Sequence, residues 1–242
     1  MNMNFAVVLP LANEEHEFQP FFGHLAEALK PYPEARAYLV LDRVSKDRTM
    51  ELCRVFTAQH TQFIIVFEPD NRNVVDAYIR GYREALSQGH DFIIEMDAGY
   101  SHDPAAIPQF LNAFADGYAC VFGSRFIRGG SMRDASLKRR FLSRGGTALA
   151  NLLLGTRLHD MTSGYQGFTK EVVTKFSDHP LRSTAHFYQT ELRYLLRYYN
   201  SKEIPITYKT PSPSVRAGAV LNSLGTLWYY FAKRATGKSI SL

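Results

Sequence analysis

Cysteine is scarce in this 242-residue chain. Cys53 sits in a helical pattern and Cys120 in an apolar run, and two such residues build neither a disulfide framework nor a zinc site. A reducing cytoplasm is the expected compartment. Long apolar runs are missing as well. No stretch reaches the roughly 18 residues of a spanning helix, and the opening MNMNFAVVLP carries no basic leader, so membrane contact is expected to be peripheral. Internal repeats and low-complexity segments are absent, which excludes solenoids and linker-like chains. Nucleic acid is excluded as a partner, because the basic residues lack the interleaved aromatics or recognisable module of such proteins. What remains is ordinary for a globular chain: 45% hydrophobic and 21% charged residues, with a net charge of +5 and a pI near 9.1 that favour anionic partners such as nucleotides or phospholipids.

Taken in order, Phe5 to Leu9 is a β-rich run closed by Pro10, and a helix carrying Phe21, Phe22, Leu25 and Leu29 follows. Tyr38 to Leu41 gives a second strand ending at Asp42, and SKDRTMELCRVF a second helix with a capping-box-like start. Phe63 to Phe67 is a third strand, Val74 to Leu86 a helix ended by Gly89, and Phe92 to Met96 a fourth strand. This alternation predicts an α/β fold with a parallel sheet of βαβ units. Further on, Asp103-Pro104 opens a helix through Phe114, Tyr118 to Phe122 is a strand, and Ser136 to Leu154 is a helix with basic residues in its first half and leucines in its second. HDMTSGYQGF reads as a loop, Lys170 to Phe176 and Phe187 to Tyr199 as helices, and Glu203 to Tyr208 as a strand. After Pro211 and Pro213, Val220, Leu221, Leu224, Leu227, Trp228 and Phe231 recur at helical spacing beside Lys233, Arg234 and Lys238. This amphipathic helix either packs on the domain or lies in a membrane interface. The expected organisation is an α/β domain over residues 1–210 and an amphipathic, membrane-associating extension over 211–242.

The chemistry gathers at FIIEMDAGYSHDP, residues 92–104. Three apolar residues, Phe92 to Ile94, followed at once by Glu95, Met96 and Asp97 read as a buried strand delivering Asp97 to its carboxyl edge, where open α/β sheets bind ligands. Alone, Asp97 reads more simply as a strand-end residue capping the next helix. An acid beside small residues is also where a divalent cation clamps a nucleotide diphosphate.

Several stretches together resemble the inverting glycosyltransferase family 2, and within it the dolichyl- or polyprenyl-phosphate mannosyltransferases and their glucosyl relatives. They are VVLPLANEE with its Pro-x-x-Asn-Glu turn, DRVSKDRT at 42–49, EMDAGYSHDP, GSRFIRGG, DMTSGYQGF, QTEL at 189–192 and EIPITY at 203–208, in family order. The resemblance implies a GT-A fold, a Rossmann-like sheet with a nucleotide sugar, GDP- or UDP-linked, at the carboxyl ends of its first strands. By position, Pro10, Asn13, Glu14, Asp42, Asp97 and Ala98 would bind the donor, and Asp97 would ligate Mg²⁺ or Mn²⁺. Arg125, Arg139 and Ser143 would hold a polyprenyl phosphate, with Gln189 and Glu191 near the sugar. Asp97, Arg125 and Arg139 would be catalytic.

The implied reaction moves a hexose of the mannose or glucose type to that lipid phosphate. A phosphate acceptor is already ionised near pH 7, so the pattern can lack a general base. The residues also depart from the family pattern. Gly99 replaces the usual second acid, which predicts a weakened metal site with His102 or Asp103 as possible recruits. Ser101 stands where an amide is frequent, Asp42-Arg43 replaces paired acids, Gln166 stands where arginine is common, and Arg216 is the nearest basic candidate after Tyr208. Two other readings stay open. One is transfer to a sugar hydroxyl of a surface polysaccharide, with His102, His159, Asp160 or Glu191 as base. The other is a catalytically silent nucleotide-sugar-binding protein.

Overall fold

The structure, a computed structural model, describes residues 3–99, 101–132, 135–209 and 217–242. Pro211, Pro213 and Arg216, and with them the expected boundary at 210–211, lie outside the described residues. Strands β1 (Phe5–Leu11), β2 (Arg36–Leu41), β3 (Phe63–Phe67) and β4 (Phe92–Glu95) alternate with helices α1 (Phe18–Leu29), α2 (Thr49–Gln59) and α3 (Val74–Ser87). All three pairings among these strands are parallel, as the βαβ pattern predicts. Phe5 through Leu9 is fully buried, because helices cover both faces of the sheet and each residue meets a core whichever way it points.

Pro10 does not close β1; the strand runs on to Leu11. The Val8 carbonyl accepts from Met96 N–H at 3.0 Å, so even-numbered residues of β1 turn their backbone groups toward β4. The β4 pairing ends at Val8 and Glu95. Proline's missing donor therefore falls where no partner strand remains.

The second half contains a 3-10 turn (Pro104–Ala106), α4 (Ile107–Ala115), β5 (Cys120–Ser124), α5 (Leu137–Leu154), β6 (Gln166–Thr169), α6 (Lys170–Ser177), α7 (Tyr188–Leu195), β7 (Ser201–Pro205) and α8 (Ala217–Ala235). The sheet order is β3-β2-β1-β4-β6-β5-β7, mostly parallel, with β6 antiparallel to both neighbours. The end of DMTSGYQGF is thus a strand and not a loop. Four residues with one glycine leave no readable alternation, and only pairing on both sides makes them a strand.

Gly81 lets α3 lie close against β1. A Cβ there would come within 2.2 Å of Val8 Cγ1 and 3.0 Å of Val40 Cγ2. Gly81→Ala is expected to destabilise the fold by about 1–3 kcal/mol despite alanine's better helix propensity, read as a lower urea midpoint at unchanged m.

Helix α5 begins at its N-cap Ser136, whose hydroxyl accepts Arg139 N–H at 3.3 Å, and ends on Gly155 at φ 71. Its inner stripe of Thr147, Ala150 and Leu154 is buried. Ala150 and Leu154 form a core with Met161, Tyr194, Leu195 and, from α8, Leu227 and Tyr230. The C-terminal helix therefore shares a core with the residues before it. On their outer faces α5 exposes Leu137, Phe141, Leu142, Leu149 and Leu152, and α8 exposes Val220, Leu221, Leu224 and Trp228. Among the described residues, no helix is long and apolar enough to cross a membrane.

Candidate active site

Asp97 stands just past the carboxyl end of β4 and keeps 29% of its side chain exposed, so it faces the cleft. Its Oδ1 accepts the Tyr78 hydroxyl, and its backbone N–H donates to His102 Nδ1 at 2.9 Å. Burial works against its charge, but the imidazoles of His102 and His186 and the Tyr78 hydroxyl outweigh it and hold the carboxyl below its usual range. His102 is itself pushed down to about 4, chiefly by burial, and is neutral at pH 7. One step deeper on the same face of the strand, Glu95 accepts from the Tyr82 hydroxyl and from Gln189 Nε2 at 3.3 Å. Burial pushes it up to about 8, so it is a neutral acid in the core. Sequence reasoning passed over both tyrosines, yet a signal existed. Tyr78 and Tyr82 are one helical turn apart, about 6 Å, and Asp97 and Glu95 are two strand residues apart, about 6.6 Å. A helix laid antiparallel on the strand matches the two spacings.

The loops after β1 and β2 are laced together. Asn13 N–H donates to Ser45 Oγ at 3.1 Å, Lys46 N–H to Asn13 Oδ1 at 2.9 Å, Glu14 N–H to Thr49 Oγ1 at 2.8 Å, and Glu15 N–H to Asp47 Oδ2 at 3.0 Å. Asn13 adopts φ 60 to do this. Its side-chain carbonyl oxygen ties the two loops, and Asp42 Oδ1 closes a turn within the second by accepting Val44 N–H at 2.8 Å. Of the expected donor residues, Pro10, Asp97 and Ala98 come together at the strand ends with Glu14, while Asn13 and Asp42 shape the rim beside them. The Glu14 carboxyl is raised to about 7 by burial first, then by repulsion from Asp97, Asp47 and Glu17.

Among the described residues, no group of three or more His, Cys, Asp or Glu side chains is arranged to hold an ion unaided. Of the two expected recruits, Asp103 is engaged elsewhere, whereas His102 stays beside Asp97 with its Nε2 3.8 Å from Asp97 Oδ2. His102 Nδ1 takes the Asp97 N–H, while Asp103 caps Ala105 N–H at 3.0 Å and pairs with Lys209 at 2.5 Å. Gly99, at φ +74, leaves an opening whose nearest atom is Glu14 Oε2, 3.0 Å from where a Cβ would stand. Asp97 Oδ2 and this opening suit a hard, oxygen-seeking cation completed by diphosphate oxygens and water. The opening is not simply vacant, however. An aspartate at 99 would begin against Glu14, so the absent acid is not a plain loss of one ligand.

On the other side of the cleft, Arg125 is held in a buried fork: Nε to Asp160 Oδ2 at 2.7 Å, Nη2 to Asp160 Oδ1 at 2.8 Å and Nη2 to Thr162 Oγ1 at 2.6 Å. Arg193, also buried, donates to the Asp160 and Ser163 carbonyls from behind and lies over the Phe122 ring at 4.7 Å. The guanidiniums of Arg125 and Arg139 both lie over the Tyr208 ring, at 5.7 and 5.5 Å, so the structure brings these two residues together. Ser143 lies one turn beyond Arg139 on α5. Gln189 and Glu191 do not face this cluster. Gln189 supports Glu95, and Glu191 is fully buried, accepting from Arg182 N–H at 2.8 Å, Ser183 N–H at 2.9 Å and the Tyr230 hydroxyl at 2.7 Å. Through the Tyr230 bond Glu191 ties α7 to α8.

Comparison with known proteins gives the arrangement a context. The family model described as Glycosyl transferase family 2 matches residues 6–176. The chain is 28% identical over 205 residues to the polyprenol monophosphomannose synthase of Mycolicibacterium smegmatis, covering 84% of this chain and 76% of that protein. It is 28% identical over 210 residues to the undecaprenyl-phosphate mannosyltransferase of Micrococcus luteus, covering 85% and 84%. Its fold is similar to the crystal structure of glucosyl-3-phosphoglycerate synthase from Mycobacterium tuberculosis in complex with Mn²⁺, UDP and glucosyl-3-phosphoglycerate. The TM-score is 0.63 at 14% identity, covering 98% of this chain and 80% of that one.

Proposed function

The chain belongs to glycosyl transferase family 2, and on that premise we propose that it moves a hexose from a nucleotide-diphosphate sugar to a polyprenyl phosphate at the cytoplasmic face of a membrane. Its mostly parallel sheet is the GT-A fold that the resemblance implies. The named activities of the two mannosyltransferases support this acceptor class. One observation carries the reading. Arg125 and Arg139 converge at Tyr208, and the same α5 that bears Arg139 exposes Leu137, Phe141, Leu142, Leu149 and Leu152 beside the exposed Leu224 and Trp228 of α8. Cations for a phosphate head thus adjoin an apolar surface for its tail and for the bilayer.

The chemistry needs little more. An oxygen of the lipid phosphate attacks the anomeric carbon as the bond to the nucleoside diphosphate breaks, and a single in-line displacement inverts the centre. The attacking phosphate is already ionised, so no proton has to be taken from it. Arg125 and Arg139 position it, and Asp97 faces the donor diphosphate. A Mg²⁺ or Mn²⁺ held there with the diphosphate would stabilise the leaving charge.

A hydroxyl acceptor would require a base, and the four candidates are poorly suited. Asp160 is locked by Arg125 and held down to about 2, although burial alone would raise it. His102 is buried with its Nδ1 engaged, Glu191 is tied to Tyr230, and His159 pairs with Glu203 at 2.8 Å.

Arg139→Ala is expected to cut transfer to polyprenyl phosphate roughly tenfold to hundredfold, the worth of a charge-assisted phosphate contact, with donor affinity unchanged. Lost nucleotide-sugar affinity with intact lipid transfer would instead move Arg139 to the donor side and favour the hydroxyl acceptor. Trp228 is 65% exposed. Replacing it together with Leu224 by alanine is expected to weaken co-sedimentation with anionic liposomes while sparing donor hydrolysis.

A further inference from the structure

Gly99 removes one acid from the motif, but the space beside it holds another. Among the described residues other than its chain neighbours, a Cβ added to Gly99 would meet Glu14 Oε2, at 3.0 Å, and no other atom within 4 Å. The Glu14 carboxylate therefore stands where an acidic side chain at 99 would start. Its placement is fixed from behind. Its own N–H is bound to Thr49 Oγ1, and both flanking residues, Asn13 and Glu15, are bonded into the 43–48 loop. The side chain itself has no hydrogen-bond or ion-pair partner among the described residues, and the charges acting on it are all carboxylates: Asp97, Asp47 and Glu17. A partly buried acid that faces only other acids lacks a counter-charge. The remaining acid of the motif, Asp103, is already paired with Lys209.

We propose that Glu14 is the second carboxylate ligand of the divalent-cation site, supplied from the β1–α1 loop in place of the acid that position 99 lacks. The inference rests on the donor-site reading above. It assigns the cation an all-oxygen set from two separate segments, Asp97 after β4 and Glu14 after β1, completed by diphosphate oxygens and water. It also explains why a glycine suits position 99. At φ +74 a side chain is strained, and the volume is needed by the carboxylate arriving from across the cleft.

The test is Mn²⁺ affinity, read from the EPR signal of free Mn²⁺ with UDP and, separately, GDP present, beside the melting temperature of each variant. Glu14→Gln should weaken Mn²⁺ binding by at least about tenfold, the lower end of what even an outer partner of a metal site costs. Its melting temperature should hold, because the carboxylate it replaces has no hydrogen-bond or ion-pair partner among the described residues. Gly99→Asp alone should not tighten binding, since the new carboxylate collides with Glu14. Glu14→Gln combined with Gly99→Asp should recover affinity, because aspartate tolerates a left-handed position better than most residues and now finds an uncharged neighbour. If Glu14→Gln binds Mn²⁺ like the wild type while Asp97→Asn does not, the Glu14 assignment is overturned and the donor site stands. Gly99→Asp tightening binding by itself would overturn it too. If neither Asp97→Asn nor Glu14→Gln changes Mn²⁺ affinity with either nucleotide, the assignment falls together with the donor-site reading.

Discussion

Asn in place of Asp97 is expected to lower sugar transfer by about a hundredfold to a thousandfold while leaving the melting temperature near that of the wild type. The carboxylate is held in its charged form although it is largely enclosed, and that charge faces the cleft. An asparagine keeps an oxygen for the Tyr78 hydroxyl, so the local bond survives. What disappears is the negative charge that would fix a cation against the diphosphate, and removing one preorganised electrostatic element of a leaving-group site costs about 2.7–4 kcal/mol. The measurement is transfer of labelled hexose to polyprenyl phosphate at saturating donor, beside a thermal melt. Activity within a few-fold of wild type would remove Asp97 from the centre of the site.

Asp160→Asn is expected to act first on stability, by about 3–5 kcal/mol, because it leaves the buried Arg125 guanidinium without its counter-charge. The effect should depend on pH in a defined direction. Burial would raise the Asp160 carboxyl, but the Arg125 fork and the Arg193 charge hold it at about 2, below the ordinary 3.8. A carboxyl with a depressed folded pKa stabilises fully above its unfolded value and loses that contribution as pH falls through the folded one. The gap between wild type and variant should therefore be constant above about pH 4 and narrow toward pH 2. Urea unfolding at a series of pH values reads it directly. A pH-independent gap over that window would mean that the pair contributes packing alone. Lipid-phosphate transfer should fall as well, since Arg125 loses the partner that aims it.

The first four strands were legible because each is a continuous apolar run between helical patterns, a signal that survives without tertiary context. The strand β6 was not, because Gln166-Gly-Phe-Thr carries no period and acquires its identity from β4 and β5. Asp97, Arg125 and Arg139 could be singled out by position, and the structure places the two arginines over one ring. Asn13 and Glu191 show what position alone leaves open. A motif fixes where a residue lies along the chain, whereas the direction of its side chain depends on neighbours 30 to 40 residues away, such as Lys46 and Tyr230. The engagement of Asp103 by Lys209 and the approach of Glu14 to Gly99 depend in the same way on contacts between distant segments.

The placement of β6 also sets an order of events during synthesis. In the finished sheet β5 borders only β6 and β7. A chain leaving the ribosome can complete the β3-β2-β1-β4 half once residue 95 has emerged, because each of those strands pairs with a neighbour already made. The next strand, Cys120–Ser124, finds none. Its first partner ends at Thr169, 45 residues later (125 to 169). At translation rates of about 5–20 residues per second this leaves a delay of roughly 2–9 s in which a fully apolar-flanked edge is unpaired beside a half-built sheet. A late antiparallel strand inserted between β4 and β5 thus leaves β5 as the strand of this sheet that waits longest for a partner, and an unpaired strand edge is exposed to pairing with other chains for that interval.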